Sequence, residues 1–226
     1  MNKVLEHLIE TNKIAMEYFQ QQLLKSSKAL EYLQKRSINK DMIELFKLGY
    51  APEDSRYEWS LSDRLIFPFF DIYDNPCGFV GRALSNEDEP KYRNSKESPI
   101  FQKGRMLYGL FQAQSEIDKL DYIILVEGQF DVISLVQNGI TNVSGLGGSS
   151  FTSDQARLIC RYVDEVVIAF DPDTAGQKAT EKAIKLLQQV DVKVKSVELP
   201  EGEDPDSFVL KHGKDNFLKL IGKEKV

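Results

Sequence analysis

Three short acidic segments carry residue types and spacings that could do chemistry: Glu127-Gly-Gln-Phe-Asp131, Asp171-Pro-Asp-Thr-Ala-Gly176 and Glu203-Asp-Pro-Asp206. The first two follow directly on the apolar runs 121–126 and 165–170, whose length and β-branched content fit buried strands. The third comes shortly after the run 192–197. If these runs are strands of one parallel sheet, all three segments fall on its carboxyl edge, where such folds collect their ligands. Gathering Glu127, Asp171, Asp173, Asp204 and Asp206 there costs energy through like-charge repulsion unless cations neutralise them, and hard divalent ions such as Mg²⁺ take oxygen ligands. The Asp-x-Asp spacing occurs twice, at 171/173 and 204/206. Gly128 and Gly176 allow the backbone to turn sharply beside the carboxylates. The competing explanation is helix capping, because Asp and Glu favour N-caps and first turns. Three clusters at equivalent strand ends favour the metal.

The elements that must position these residues can be read from hydrophobic periodicity. Residues 2–24 and 27–35 have apolar side chains at helical spacing, and Asn39 can cap a helix running through Leu48 and stopping at Gly49. After Pro52 the runs shorten: 64–71 and 78–82, joined by Asp74-Asn-Pro, read as a hairpin. Phe67, Phe69 and Phe70 in that pattern belong to a core rather than to a base-stacking platform. Residues 85–105 are polar and read as a long functional loop or irregular segment. From residue 120 the order becomes strand 121–126, helix 130–137, strand 141–143, helix 153–161, strand 165–170, helix 175–189 and strand 192–197. That alternation implies right-handed crossovers and an α/β fold, a mostly parallel sheet with helices on both faces. Two domains are expected: 1–115, a smaller helical and α+β basic subdomain, and 116–226, the α/β domain.

Charge is distributed unevenly between the halves. The net charge is −6, yet residues 1–115 hold 16 Lys+Arg against 16 Asp+Glu, so the whole excess lies in residues 116–226, with 13 against 19. This fits a second half that gathers carboxylates for cations and a first half that supplies local basic contacts. No apolar run approaches the roughly 18 residues of a membrane span. The N-terminus lacks the apolar stretch of a secretory signal, and the expected location is the cytoplasm. Cys77 and Cys160 stand far apart, as do His7 and His212, so neither pair suggests zinc. Gly145-Leu-Gly-Gly148 lacks the third glycine of a dinucleotide loop and the Lys-Ser/Thr of a phosphate-binding loop.

The ordered set Glu127-Gly-x-x-Asp, Asp171-x-Asp-x-Ala-Gly176 and Gly202-Glu-Asp-Pro-Asp206, followed by Lys211-His-Gly, resembles the Toprim domain, and in its third element that of bacterial, DnaG-type DNA primases. The first half agrees in order and approximate spacing: Phe46-Lys-Leu-Gly-Tyr-Ala-Pro52, Asp63-Arg-Leu-Ile-Phe-Pro68, Gly78-Phe-Val-Gly-Arg82, Pro90-Lys-Tyr-Arg-Asn-Ser95 and Phe101-Gln-Lys-Gly-Arg-Met-Leu-Tyr-Gly109. The resemblance covers roughly residues 28–222. It implies a primase catalytic core that makes short RNA primers on a single-stranded DNA template from ribonucleoside triphosphates. Glu127, Asp171 and Asp173 would be catalytic, and these three with Asp204 and Asp206 would hold Mg²⁺ or Mn²⁺. Two cations about 4 Å apart activate a 3'-hydroxyl and stabilise departing pyrophosphate. Arg36, Arg82, Lys91, Asn94 and Lys103 match positions that contact template and nucleotide.

Departures from that pattern shape the remaining expectations. No zinc-binding module and no helicase-binding domain is recognisable, so the resemblance is to a minimal or phage-like version, a split subunit or an excised fragment. Such a chain would work with a zinc-binding module in trans and a replicative helicase. Gln129 and Phe130 stand where the family commonly has Tyr-Met, and Leu146-Gly-Gly-Ser-Ser-Phe-Thr152 varies a loop that usually reads Leu-Gly-Thr. Two alternatives keep the fold and change the role: a Toprim-type metal-dependent nuclease, and a non-catalytic Toprim DNA-binding module. The basic segment from Arg82 to Arg105 favours the primase.

Overall fold

The computed structural model describes residues 3–54, 57, 59–85, 88–147 and 150–223. They form two compact units, residues 1–103 and 104–226. The first opens with helices α1 (Lys3–Lys25), α2 (Ser27–Lys35) and α3 (Lys40–Leu45). Ala15, Phe19 and Leu23, four residues apart, are the buried stripe of α1. Ser26 caps α2 and Asn39 caps α3 through side-chain oxygens that accept backbone N–H groups. Helix α3 is shorter than the expected run to Leu48. Lys47 takes a left-handed conformation and the Leu48 N–H turns back to the Ile43 carbonyl, which ends the helix and frees Gly49 to begin a strand.

An antiparallel sheet follows in the order β1 (Gly49–Ala51), β2 (Arg64–Phe70), β3 (Pro76–Ala83), β4 (Tyr92–Asn94). The expected hairpin is β2–β3, and its turn is built by Asp71, whose Oδ1 accepts the N–H groups of Tyr73 at 2.8 Å and Asn75 at 2.9 Å. Pro68 is tolerated in β2 because β1 pairs only with Arg64–Ile66, leaving the strand a single neighbour at the proline. Phe67, Phe69 and Phe70 are all buried, as a core reading requires. The polar segment 85–105 is not wholly irregular: β4 adds to the sheet edge beside β3.

In the second unit α4 (Leu110–Leu120) leads into β5 (Tyr122–Val126), α5 (Gln129–Gln137), β6 (Val143–Gly145), α6 (Ser153–Ile159), β7 (Glu165–Ile168), α7 (Thr174–Gln188), β8 (Lys193–Ser196) and α8 (Pro205–Leu220). The strands are all parallel in the order β6-β5-β7-β8. The expected strand 141–143 lies two residues further on. Ile123, Leu125, Val166 and Ile168 share one core with residues of α4, α6 and α7, while α5 packs against β6 and α8. Helix α5 is buried from Gln129 to Val136, its apolar residues enclosing the polar Gln129, Asp131 and Ser134. Edge strand β8 carries exposed Lys193 and Lys195, a charge pattern that discourages further pairing.

In the first unit, one close approach gives a direct test of the packing. A Cβ placed on Gly78 would enter the ring of Phe101, which is 1% exposed and stacks edge-on against Phe69. Gly78→Ala should therefore lower stability by about 1–3 kcal/mol, seen as a drop in the urea midpoint. An unchanged midpoint would show that Phe101 is not held there.

Candidate functional site

At the carboxyl edge of the second sheet, strands end and helices begin within a few residues of each other. Glu127 follows β5 and is half-buried, and its Oε1 accepts the Asp171 N–H at 3.2 Å, linking the ends of β5 and β7. Asp173 is the N-cap of α7, accepting the Gly176 N–H at 2.7 Å, and Asp204 is the N-cap of α8, accepting the Ser207 N–H at 2.7 Å. Capping and clustering thus occur together. The N-termini of α5, α7 and α8 all start from this edge, and their dipoles favour negative charge there.

A methyl group on Gly176 would collide with the Asp171 carbonyl and press on Glu127 Oε1, so this position has room only for hydrogen. The tight turn from β7 into α7 and the Glu127 position depend on the same glycine.

Asp206 sits in the first turn of α8 and is buried, with Oδ1 accepting the Ser134 hydroxyl of α5. Asp131 is the acid that sequence reasoning quoted within a motif but assigned no role. It is buried, its Oδ2 accepts the Gly128 N–H at 2.9 Å, and its Oδ1 faces the Asp206 N–H at 3.4 Å. The signal for it was its place four residues after Glu127 in the first turn of a helix.

The carboxylates feel one another. Burial pushes the Glu127 pKa up, and the charges of Asp171 and Asp173 push it further. Burial also raises Asp131, helped by Asp171, Asp204 and Asp206, to about 7. All five acids expected from the sequence therefore lie in one electrostatic group, joined by Asp131. Among the described residues, no three His, Cys, Asp or Glu side chains are grouped so that they could hold a metal ion as they stand. The hydrogen bonds explain this: Asp173 and Asp204 are turned onto helix N-termini, and Asp206 onto Ser134. The donor set is nonetheless that of a hard divalent cation, oxygen only and strongly anionic. Glu203 is engaged elsewhere, with Lys211 and with His212 Nε2 at 3.0 Å, which hold its carboxyl below the usual range.

The basic residues singled out in the sequence belong to the first unit. Lys91 and Asn94 are exposed, flanking and ending the edge strand β4. Lys103 begins a single 3-10 turn, Lys103–Arg105, and burial lowers its ammonium pKa. Arg36 is the C-cap of α2. Arg82 is 1% exposed: Nε donates to Tyr92 Oη at 3.2 Å, Nη1 donates to the Ala83 carbonyl at 2.9 Å, and the guanidinium lies over the rings of Tyr32 and Tyr92. Nothing in its local sequence announced that burial. Gln129 is also buried and its Nε2 reaches the Gly147 carbonyl at 3.4 Å, tying the variant motif after β5 to the loop after β6. Gly148 and Ser149 of the Leu146–Thr152 loop lie outside the described residues.

The fold and the carboxylate edge together define a Toprim-type α/β unit, and a Toprim-like family model matches residues 124–209, which include all six acids. A model of the N-terminal domain of the DNA primase catalytic core matches residues 18–60 and 53–114. Among solved structures, a DnaG primase catalytic domain bound to ssDNA superposes with a TM-score of 0.86 at 30% identity, covering 96% of this chain and 81% of that one. A DNA primase domain from Pseudomonas aeruginosa gives 0.87 at 32%, covering 96% and 78%. The chain belongs to the DnaG-type DNA primase family. The Aquifex aeolicus primase, zinc-binding and RNA polymerase domains, gives 0.91 at 32% and covers 100% of this chain and 62% of that one. The DNA primase of Clostridium acetobutylicum is 39% identical over 96% of this chain and 41% of its own length. That of Aquifex aeolicus is 34% identical over 91% and 47%. The chain thus spans less than half the length of these curated relatives.

The electrostatics predict a pH signature of the metal-free protein. Because Asp131 holds its proton more tightly when folded, its contribution to stability is full below about pH 4 and is lost as pH rises through about 7. In EDTA, the melting temperature of Asp131→Asn should fall less steeply than the parent's across that window. Parallel slopes would show that Asp131 is not perturbed by its neighbours.

Proposed function

We propose that this chain is the nucleotidyl-transferring core of a primase, synthesising short RNA primers on single-stranded DNA from ribonucleoside triphosphates during DNA replication. The observation that carries the reading is the coupled group of Glu127, Asp131, Asp171, Asp173, Asp204 and Asp206 at one sheet edge, in a chain of this family. Divalent cations, Mg²⁺ or Mn²⁺, held by Glu127, Asp171, Asp173, Asp204 and Asp206 would activate the attacking hydroxyl and offset charge on the leaving pyrophosphate. Glu127, Asp171 and Asp173 are the catalytic acids in this reading, and Asp131 and Ser134 are positioning residues that fix Gly128 and Asp206.

Basic groups serve the nucleotide and template. Lys91, Asn94 and Lys103 offer donors suited to phosphate and base contacts, and burial, which lowers the Lys103 ammonium pKa, leaves a partly desolvated charge that gains from a phosphate partner. Arg36 and Arg82 complete the set, Arg82 by orienting Tyr92 and Tyr32 as well as by charge. One solved relative is bound to ssDNA and another joins zinc-binding and RNA polymerase domains. We therefore expect a zinc module in trans and a replicative helicase to raise priming by this chain. No helix among the described residues is long and apolar enough to cross a membrane, and cytoplasmic replication forks are the proposed setting.

The test is primer synthesis and template degradation measured side by side with labelled ribonucleotides and Mg²⁺ or Mn²⁺. The parent should make short oligomers, Glu127→Gln should make none, and Lys91→Ala and Lys103→Ala should each lose about tenfold or more, since one charged contact is worth roughly 1.5–3 kcal/mol. Template degradation by the parent, no oligomer with any partner added, and full nuclease activity in the lysine variants would replace this reading with a Toprim nuclease.

A further inference from the structure

A second concentration of charge, of opposite sign, lies on the same unit. A cavity of about 270 Å³ is lined by Arg105, Asp154, Arg157, Leu158 and Arg161. None of these residues belongs to the carboxylate group. Arg105 Nε donates to Asp154 Oδ2 at 3.0 Å, and Arg157 Nη1 donates to Asp154 Oδ1 at 3.1 Å. One carboxylate is shared by two guanidiniums, and Arg161, one turn beyond Arg157 and just past the α6 C-cap, has no ion-pair partner among the described residues. The pocket is therefore cationic in a half of the chain that is otherwise acidic.

The arrangement is held in place from below. The Thr152 hydroxyl donates to the Gly104 carbonyl, and the buried Gln155 amide donates to the Met106 carbonyl at 2.7 Å, so segment 104–106 is fastened to the first turn of α6. That fixes Arg105 beside Asp154. Yet the Arg105 and Arg157 side chains are each 65% exposed, and exposed ion pairs add little to stability. A structural brace explains the anchoring but not three arginines around one aspartate. Asp154 instead limits repulsion among the arginines and orients two of them, leaving guanidinium edges free to take further acceptors.

Guanidinium forks match phosphate oxygens. Arg157 lies in α6 and Arg161 four residues on, just past its C-cap, while Arg105 is bonded to Asp154 in the first turn, so three cations line one cavity. Three guanidiniums, only two of them paired with Asp154, offer more donors than one phosphate can take, which suits a phosphodiester backbone. Leu158 between them offers an apolar surface against which a sugar or base can rest. We propose that Arg105, Arg157 and Arg161, set around Asp154 and Leu158, bind the phosphodiester backbone of a single nucleic-acid strand through residues outside the carboxylate group. The proposal rests on these residues alone and needs neither metal nor catalysis.

The test is anisotropy of a labelled DNA oligonucleotide and its RNA counterpart, titrated in EDTA without nucleotides across a range of salt. Arg157→Ala/Arg161→Ala should weaken binding by about tenfold at low salt and make the log–log salt slope shallower by about 1.4, the value for two phosphate contacts on a single strand. Arg157→Lys/Arg161→Lys should restore most of the slope because it keeps the charges. If the alanine pair lowers the melting temperature, Arg161→Ala alone, which breaks no ion pair, should still give half the change in slope. Loss with both strands, or with only one, supports the site and says which strand it takes. Unchanged affinity and slope for both strands overturns it, as does a response to inorganic phosphate alone that the variants lose while both oligonucleotides bind as before. Strand binding that depends on these arginines in a protein that makes no primers would leave this site standing and remove only the primase reading.

Discussion

The repulsion among carboxylates at the carboxyl edge of one parallel sheet is the constraint around which the second unit is organised. Six acids are brought into mutual range by two strand ends and three helix starts. Left alone, such a group favours protonation, which is the direction in which Glu127 and Asp131 are shifted. The fold limits the cost in two ways. Helix dipoles point their positive ends at the edge, and backbone N–H groups of Gly128, Asp171, Gly176 and Ser207 are aimed at carboxylate oxygens. These devices reduce the repulsion without removing it, and the remainder is available to a divalent cation.

The same bonds explain why the carboxylates are turned away from one another. Asp173 and Asp204 each satisfy the start of a helix, and Asp206 is enclosed between α8 and α5. A cap is a short, local bond that a side chain can exchange for a cation by a rotation about its own torsions. A buried aspartate such as Asp131 cannot leave so easily. Its place beneath the edge, bonded to Gly128, makes it a support for the turn that carries Glu127.

Much of this was legible in the sequence. Strand 122–126 is specified by its unbroken apolar run and the helices that follow by apolar residues at helical spacing, while the Asp-x-Asp pairs fall just after a strand, at 171/173, and at a helix start, at 204/206. Pattern reading gave Asp173 and Asp204 two competing roles, cap and ligand, and the structure shows that the cap is real while their charges still enter the common group. What escaped the sequence depends on distant partners. The end of α3 turns on the left-handed Lys47, which no residue preference for lysine announces. Strand β4 exists because β3 offers an edge, and the burial of Arg82 requires Tyr32 and Tyr92 from other elements. The pairing of Asp206 with Ser134 joins residues 72 positions apart.

The central claim, that this edge is an anionic site completed by divalent metal, is tested most directly by calorimetric titration of Mn²⁺ into metal-free protein in buffers of different ionisation enthalpy near neutral pH. The account predicts saturable binding that releases protons, because a cation at the edge favours ionisation of the neighbouring Asp131, raised to about 7, and loss of that binding in Asp171→Asn/Asp173→Asn. Equal affinity in parent and variant, or binding with no proton release, would contradict it.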